Sequence, residues 1–246
     1  MRVTAINKDV PAVAARSWIK DSLVIYSKSK FYFSLFSIFS TIIIVIPILG
    51  AFMVPIFTAK YAEIAIKIEK DQEFSFVEFF YGLFTNKTIL KIGGFHMVFY
   101  IIATTLQIIL QKTSDPTSIS SEVIEIFCIL VGLFIVLIFL LVFWLSPIIC
   151  LRNSEVNAIN ALNLSFKACV VHRNKIIIWG VLVFILGGAV LEYLYNLAMS
   201  FQQSGSALLA ALSGTIGIAI ALVWAPVMHL SAYYVYKSLF LNYNEQ

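Results

Sequence analysis

The sequence predicts an all-α polytopic membrane protein with six transmembrane helices. Three observations support this. Hydrophobic residues fill 61% of 246 positions and charged residues 12%, with a mean hydropathy of +0.94; a soluble domain carries about 25% charged residues. The apolar residues cluster into runs of about 20, the length that spans a hydrocarbon core of about 30 Å. The basic residues lie almost entirely in alternate connections between those runs. No polar stretch is long enough for a soluble domain, so residues 1–246 read as one integral membrane domain.

The spans are expected at 31–49, 51–69, 89–111, 122–150, 175–201 and 207–236. Before them, 1–30 is a cytoplasmic or interfacial segment with Arg2, Lys8, Arg16, Lys20, Lys28 and Lys30. A signal peptide has a short basic region, a short apolar core and a small-residue cleavage site, so the run from Phe31 reads as a retained first span. The first two spans meet at Pro47-Ile48-Leu49-Gly50. Their combined length favours two crossings over one bent re-entrant hairpin. Lys112–Thr117 and Gln202–Ser206 are polar breaks.

Orientation follows from charge. Sixteen of the 17 Lys and Arg fall in 1–30, 60–91, 151–175 and the tail at Lys237, all on one side of a six-span chain, with Lys112 alone opposite. Basic excess marks the cytoplasmic face, which puts both termini inside. Trp144, Trp179 and Trp224 fall near the cytoplasmic ends of their spans, and Trp18 precedes the first. Indole favours the headgroup level, although packing accounts equally for any single one.

Three segments look like copies of one unit. Ser22–Lys30, Phe79–Lys87 and Leu164–Lys175 each run from an amphipathic stretch through a basic corner into a span. In the last, Val156, Ile159, Leu162, Phe166 and Val170 recur at helical spacing, as in a helix lying in the interface plane. The even spans carry Pro55, Pro147 and Pro226 near their inner ends. Proline frees the carbonyl four residues back and bends a helix. A packing kink is the simpler reading; a hinge or a cytoplasmic-facing cavity is the functional one. Three divergent repeats of interfacial helix plus helical hairpin are therefore expected.

Ionisable groups within spans are functional candidates by default. His96 and His229 can hydrogen-bond across helices. Glu192 lies about 25 Å of helix beyond Lys175, near the outer interface. Lys60 with Glu63, and Glu63 with Lys67, can pair on one helical face, and Glu69–Glu73 reads as a solvated loop. Cys128, Cys150 and Cys169 form no CxxC pair and read as small apolar residues. No Walker loop, HExxH, G-x-S-x-G or dinucleotide fingerprint occurs, so no catalytic, metal or cofactor site is expected. Ala210, Gly214, Gly217, Ala221 and Ala225 form a small-residue face that permits close helix approach, within the chain or in a homo-oligomer. Basic residues beside spans, with no surface stripe, point to anionic lipid headgroups and away from nucleic acid. Lys28, Lys30, Lys87, Arg173 and Lys175 are the expected contacts.

Ala161, Ser165-Phe166-x-Ala168-Cys169, Asn174, Gly180, Pro226, Tyr233, Tyr236 and Phe240 resemble the pattern of a family of uncharacterised proteobacterial inner-membrane proteins. The resemblance covers 158–240, and the spacing from Cys169 to Asn174 is one residue longer than that pattern. More distantly, the layout is similar to the six-span domain fused to some bacterial glycerophosphodiester phosphodiesterases. The resemblance implies a location, the bacterial inner membrane, and an architecture, but no site residues. The expected role is a non-enzymatic scaffold, helper or modulator in envelope or lipid homeostasis. The alternative is a small-substrate transporter or channel, which needs a polar cavity lined by several spans. A membrane-embedded enzyme would need clustered His, Asp or Glu.

Overall fold

The computed structural model describes residues 6–11, 13–113 and 142–240. These residues are helical almost throughout. α1 is Ala14–Lys28, α2 Lys30–Ile44 and α3 Pro47–Glu69; a 3-10 turn at Phe76–Phe79 precedes α4, Lys87–Thr113. After the undescribed segment come α5, Ser146–Arg152, and α6, Ala158–Val171. α7 (Arg173–Gly180), a π turn (Val181–Leu186) and α8 (Gly187–Gln203) follow without a break, and α9 is Ala207–Leu239. Four of these helices are long and apolar enough to cross a membrane: Pro47–Glu69, Lys87–Leu106, Arg173–Gln203 and Ala207–Leu239. The molecule thus has the character of a helical membrane protein. The span expected at 122–150 lies outside the described residues, apart from its end.

Two boundaries differ from the sequence expectation. The turn between α2 and α3 falls at Val45-Ile46, ahead of Pro47-Gly50. Pro47 suits the first helical turn, where a missing N–H is no loss. Gly50 serves packing within that turn: its N–H donates to the Ile46 carbonyl at 2.6 Å, and a Cβ there would lie 2.3 Å from the Ile44 carbonyl oxygen. The helix expected at 31–49 is accordingly a 15-residue helix. The second difference is Pro147. Pro55 and Pro226 lie inside α3 and α9, whereas Pro147 stands in the first turn of α5.

α3 is the central post. From Met53 to Ile68 all but Val54, Glu63, Ile66 and Lys67 are buried, as expected of a largely enclosed helix, and α2, α4, α5 and α9 pack around it. Phe33, Phe36, Phe57, Tyr61 and Phe79 are all fully buried; the Phe36 and Phe79 rings are 4.4 Å apart. Phe79 reaches the core because Ser75 and Glu78 cap the 3-10 turn reciprocally. α1 buries Ala14, Trp18, Ser22 and Ile25, one stripe at helical spacing, mainly against α9.

α6 turns its small residues inward. Ala158, Ala161, Ser165, Ala168 and Cys169 are buried, while Ile159, Phe166 and Val170 are exposed. Large apolar side chains are also exposed on α4 (Val98, Ile101, Ile102) and on the first half of α9 (Leu208, Leu212, Ile216). Such surfaces are costly in water and neutral against acyl chains. The second half of α9, from Val227 to Leu239, is largely buried among α1, α2, α3 and α5.

Candidate functional site

The segments that hold most of the basic residues converge at one end of the bundle. Glu69 closes α3, and its carboxylate accepts hydrogen bonds from Tyr233 Oη (2.7 Å), Tyr234 Oη (2.9 Å) and Lys237 Nζ (3.0 Å) at the end of α9. Lys60 is buried and donates to Glu63 (2.8 Å) and to the Tyr81 carbonyl (2.8 Å). Lys67 pairs with Glu78. That bond and the Ser75 N–H hold the Glu78 carboxyl below the usual range. The segment 6–11 is tied on as a strap. Asn7 N–H donates to the Leu239 carbonyl (2.8 Å), His172 Nε2–H to the Asn7 carbonyl (2.6 Å), and Lys175 Nζ to the Val10 carbonyl. Burial pushes the His172 pKa down.

Deeper lies an aromatic layer around His229. Thr58 Oγ1 donates to the Val54 carbonyl (3.0 Å) and so must accept from His229 Nδ1–H (3.0 Å), which fixes the imidazole tautomer. The imidazole lies parallel to Tyr61 at 4.9 Å and to Trp144 at 5.8 Å. Trp144 meets Trp179, whose Nε1–H donates to Ser231 Oγ at 3.0 Å. Three of the four tryptophans, Trp18, Trp144 and Trp179, are core residues at most 3% exposed. Their role is packing. Trp224 is half-buried and donates to the Val183 carbonyl in the π turn at 2.8 Å.

A proline and its freed carbonyl explain a third feature. Pro55 deprives the Ala51 carbonyl of its intrahelical donor. His96 Nδ1–H, on α4, donates to that same carbonyl. The Cβ of any residue replacing Gly93 would lie 2.6 Å from the Phe52 carbonyl, so glycine is what lets α4 approach closely enough for this bond. Pro147, in the first turn of α5, frees no such carbonyl; just before it, Ser146 Oγ donates to the Phe143 carbonyl at 3.1 Å. His96 is thus the capping group for a proline break, and its ring meets Phe143 at 5.2 Å.

The expected lipid contacts divide. Lys28, Lys30, Lys87 and Arg173 are exposed, while Lys175 is tied to the strap. Glu192 is exposed on α8. Of the expected α3 pairs, Lys60–Glu63 forms; Lys67 reaches across to Glu78. Cys150 and Cys169 are buried, and burial raises the Cys169 thiol to about 12. Among the described residues no cluster of His, Cys, Asp or Glu is placed to hold a metal ion.

One polar recess of about 390 Å³ opens between Glu69, Lys70, Arg152, Tyr233 and Lys237. It does not continue inward. One turn deeper, Ala65, Ile148 and Leu230 are fully buried. The sequence reading missed the Glu69 clamp, because Tyr233, Tyr234 and Lys237 come from a helix 164 residues or more away. Compared with protein-family models, curated proteins and solved structures, the chain has no match.

Proposed function

We propose that this protein spans the inner membrane of a bacterium six times, with both termini in the cytoplasm, and acts without catalysis as a scaffold, helper or modulator in envelope or lipid homeostasis. The observation that carries the reading is how its buried and half-buried ionisable groups are used. His96, His229, Lys60 and Glu69 each bond across elements of the bundle, which is a structural use. The bacterial inner membrane is the location that the family resemblance implies. Three divergent repeats fit the placement of α1 before α2 and α6 before α7; the middle copy is reduced to a 3-10 turn.

Orientation is tested by single cysteines at Ser154 and Ser204, both in exposed turns. An impermeant thiol reagent added to intact cells should label position 204 and spare 154. The role is tested by gentle purification and mass spectrometry. A stoichiometric lipid or protein that survives washing supports a helper; solute flux in proteoliposomes above that of empty vesicles favours the transporter. The transporter reading has one observation in its favour: the polar recess at Glu69 is lined by α3, α5 and α9. The packed residues beneath it weigh against a path.

A further inference from the structure

We infer that the protein holds one phospholipid in the leaflet on its basic side, with the phosphate on Arg16 and an acyl chain in the recess between α1 and the α8–α9 hairpin. The recess has a volume of about 420 Å³ and is lined by Arg16, Ile19, Leu182, Gly187, Val190, Ile220 and Trp224. That volume lies within the range of small-molecule sites, about 300–1,000 Å³. Every lining residue except Arg16 is apolar or aromatic, and the indole N–H of Trp224 is already committed to Val183. Arg16 is exposed and, among the described residues, makes no ion pair.

Depth selects the occupant. Counted from the polar break at 202–206, Trp224 lies about 26 Å along α9 and Leu182 about 32 Å along the α7–α8 run. The hydrocarbon core is about 30 Å thick, so both stand near the opposite headgroup level, where Arg16 meets them. Val190 and Ile220 lie about 20 Å along, inside the acyl region. The recess therefore starts at a cation at headgroup depth and descends into hydrocarbon. A phospholipid matches that order: an anionic phosphate, then an apolar chain. A free phosphate would leave the apolar part empty, and a detergent-like neutral chain would leave Arg16 unpaired.

Two local features shape the recess. Gly187 has no side chain, and a Cβ there would lie 1.9 Å from Trp224 Nε1, so the indole seats directly on the helix backbone. The π turn ends at the residue before Gly187, and π turns recur at functional sites. On α1, Lys20 and Leu23 share the outward face with Arg16 and Ile19, continuing the pattern of basic and apolar side chains.

The inference rests on the membrane reading and is independent of the helper role, which the co-purification experiment decides. The test uses the full chain in neutral detergent, with one defined phosphatidylglycerol added and binding read by native mass spectrometry. One lipid should be retained by the wild type. Arg16→Gln should weaken binding about tenfold, the loss of one charge-assisted contact. Val190→Trp, which fills the recess from an exposed position, should weaken it at least as much, and Lys167→Gln, a control at an exposed lysine of α6, should not. Binding by Arg16→Gln within twofold of wild type, or an equal loss in Lys167→Gln, overturns the site. Because variants can misfold, the wild type is also photolabelled with a phosphatidylglycerol carrying a diazirine in its acyl chain. Label on 182–190 and 220–224 is expected. Label spread over the exposed face of α4 overturns the proposal.

Discussion

Replacing His96 with Leu should destabilise the protein through a carbonyl that is not its own. The Ala51 oxygen has no donor within α3 because residue 55 is proline, and His96 supplies the missing bond from α4. His96 is only 6% exposed, so no water replaces it easily. An orphaned buried acceptor costs about 1–3 kcal/mol. Leu is close to His in volume, which keeps any cavity cost small. Pro55→Ala returns an N–H to the same carbonyl, so His96→Leu in that background should cost less than about 1 kcal/mol. The coupling energy of the cycle should then be about 1–2 kcal/mol. The assay is unfolding of the four proteins in one detergent, followed by far-UV circular dichroism. If the two substitutions prove additive within about 0.5 kcal/mol, His96 does not act through the proline-freed carbonyl.

Three further outcomes follow from the same geometry. Gly187→Ala should displace Trp224 and break its bond to Val183, costing about 1–3 kcal/mol by overpacking and red-shifting tryptophan emission. Glu69→Gln should cost about 1–2 kcal/mol in thermal unfolding, a figure held down because Lys237 is partly exposed and its pairing is screened. His172 titrates below its ordinary value in the folded chain, because burial disfavours its charged form. Above about pH 6.5 both states are neutral and stability is unaffected. As pH falls below that, the unfolded chain takes up the proton first, so stability should drop from pH 7 to 5.5. His172→Gln should flatten that drop relative to wild type.

The long helices were legible because hydropathy and length are local properties. Four of the apolar runs became helices within a few residues of their expected limits. Lys60–Glu63 was legible for the same reason, since i and i+3 meet on any helix. His96 and Pro55 were each singled out from sequence, and the rule that a proline-freed carbonyl needs a partner was at hand. What sequence lacked was that α4 lies against α3 at that height, which Gly93 permits. Ser75 and Glu78 form a capping box whose spacing is plain in the sequence, yet it sits beside a charged stretch that reads as loop. The Glu69 clamp and the recess at Arg16 depend on which helices become neighbours, and no local pattern encodes that. The large residues of α6 were expected to face acyl chains or the bundle. Ile159 and Phe166 are exposed, and the buried face is the small one, because close packing against α5 favours Ala and Ser there.

The strap at residues 6–11 has a consequence for how the chain is made. Asn7 bonds to Ser238, 231 residues downstream. At a synthesis rate of about 5–20 residues per second, that partner is translated roughly 10–50 s after Asn7. Through that interval the strap has no partner in α9, and the basic end of the bundle stays unlatched while the intervening helices enter the membrane. Closing so long a loop adds little equilibrium cost, since the entropy grows only logarithmically with length, but it places the latch late in assembly. The strap is therefore a late latch. It can engage α9 only when that helix has been made and seated, so a chain still lacking α9 holds its basic end open.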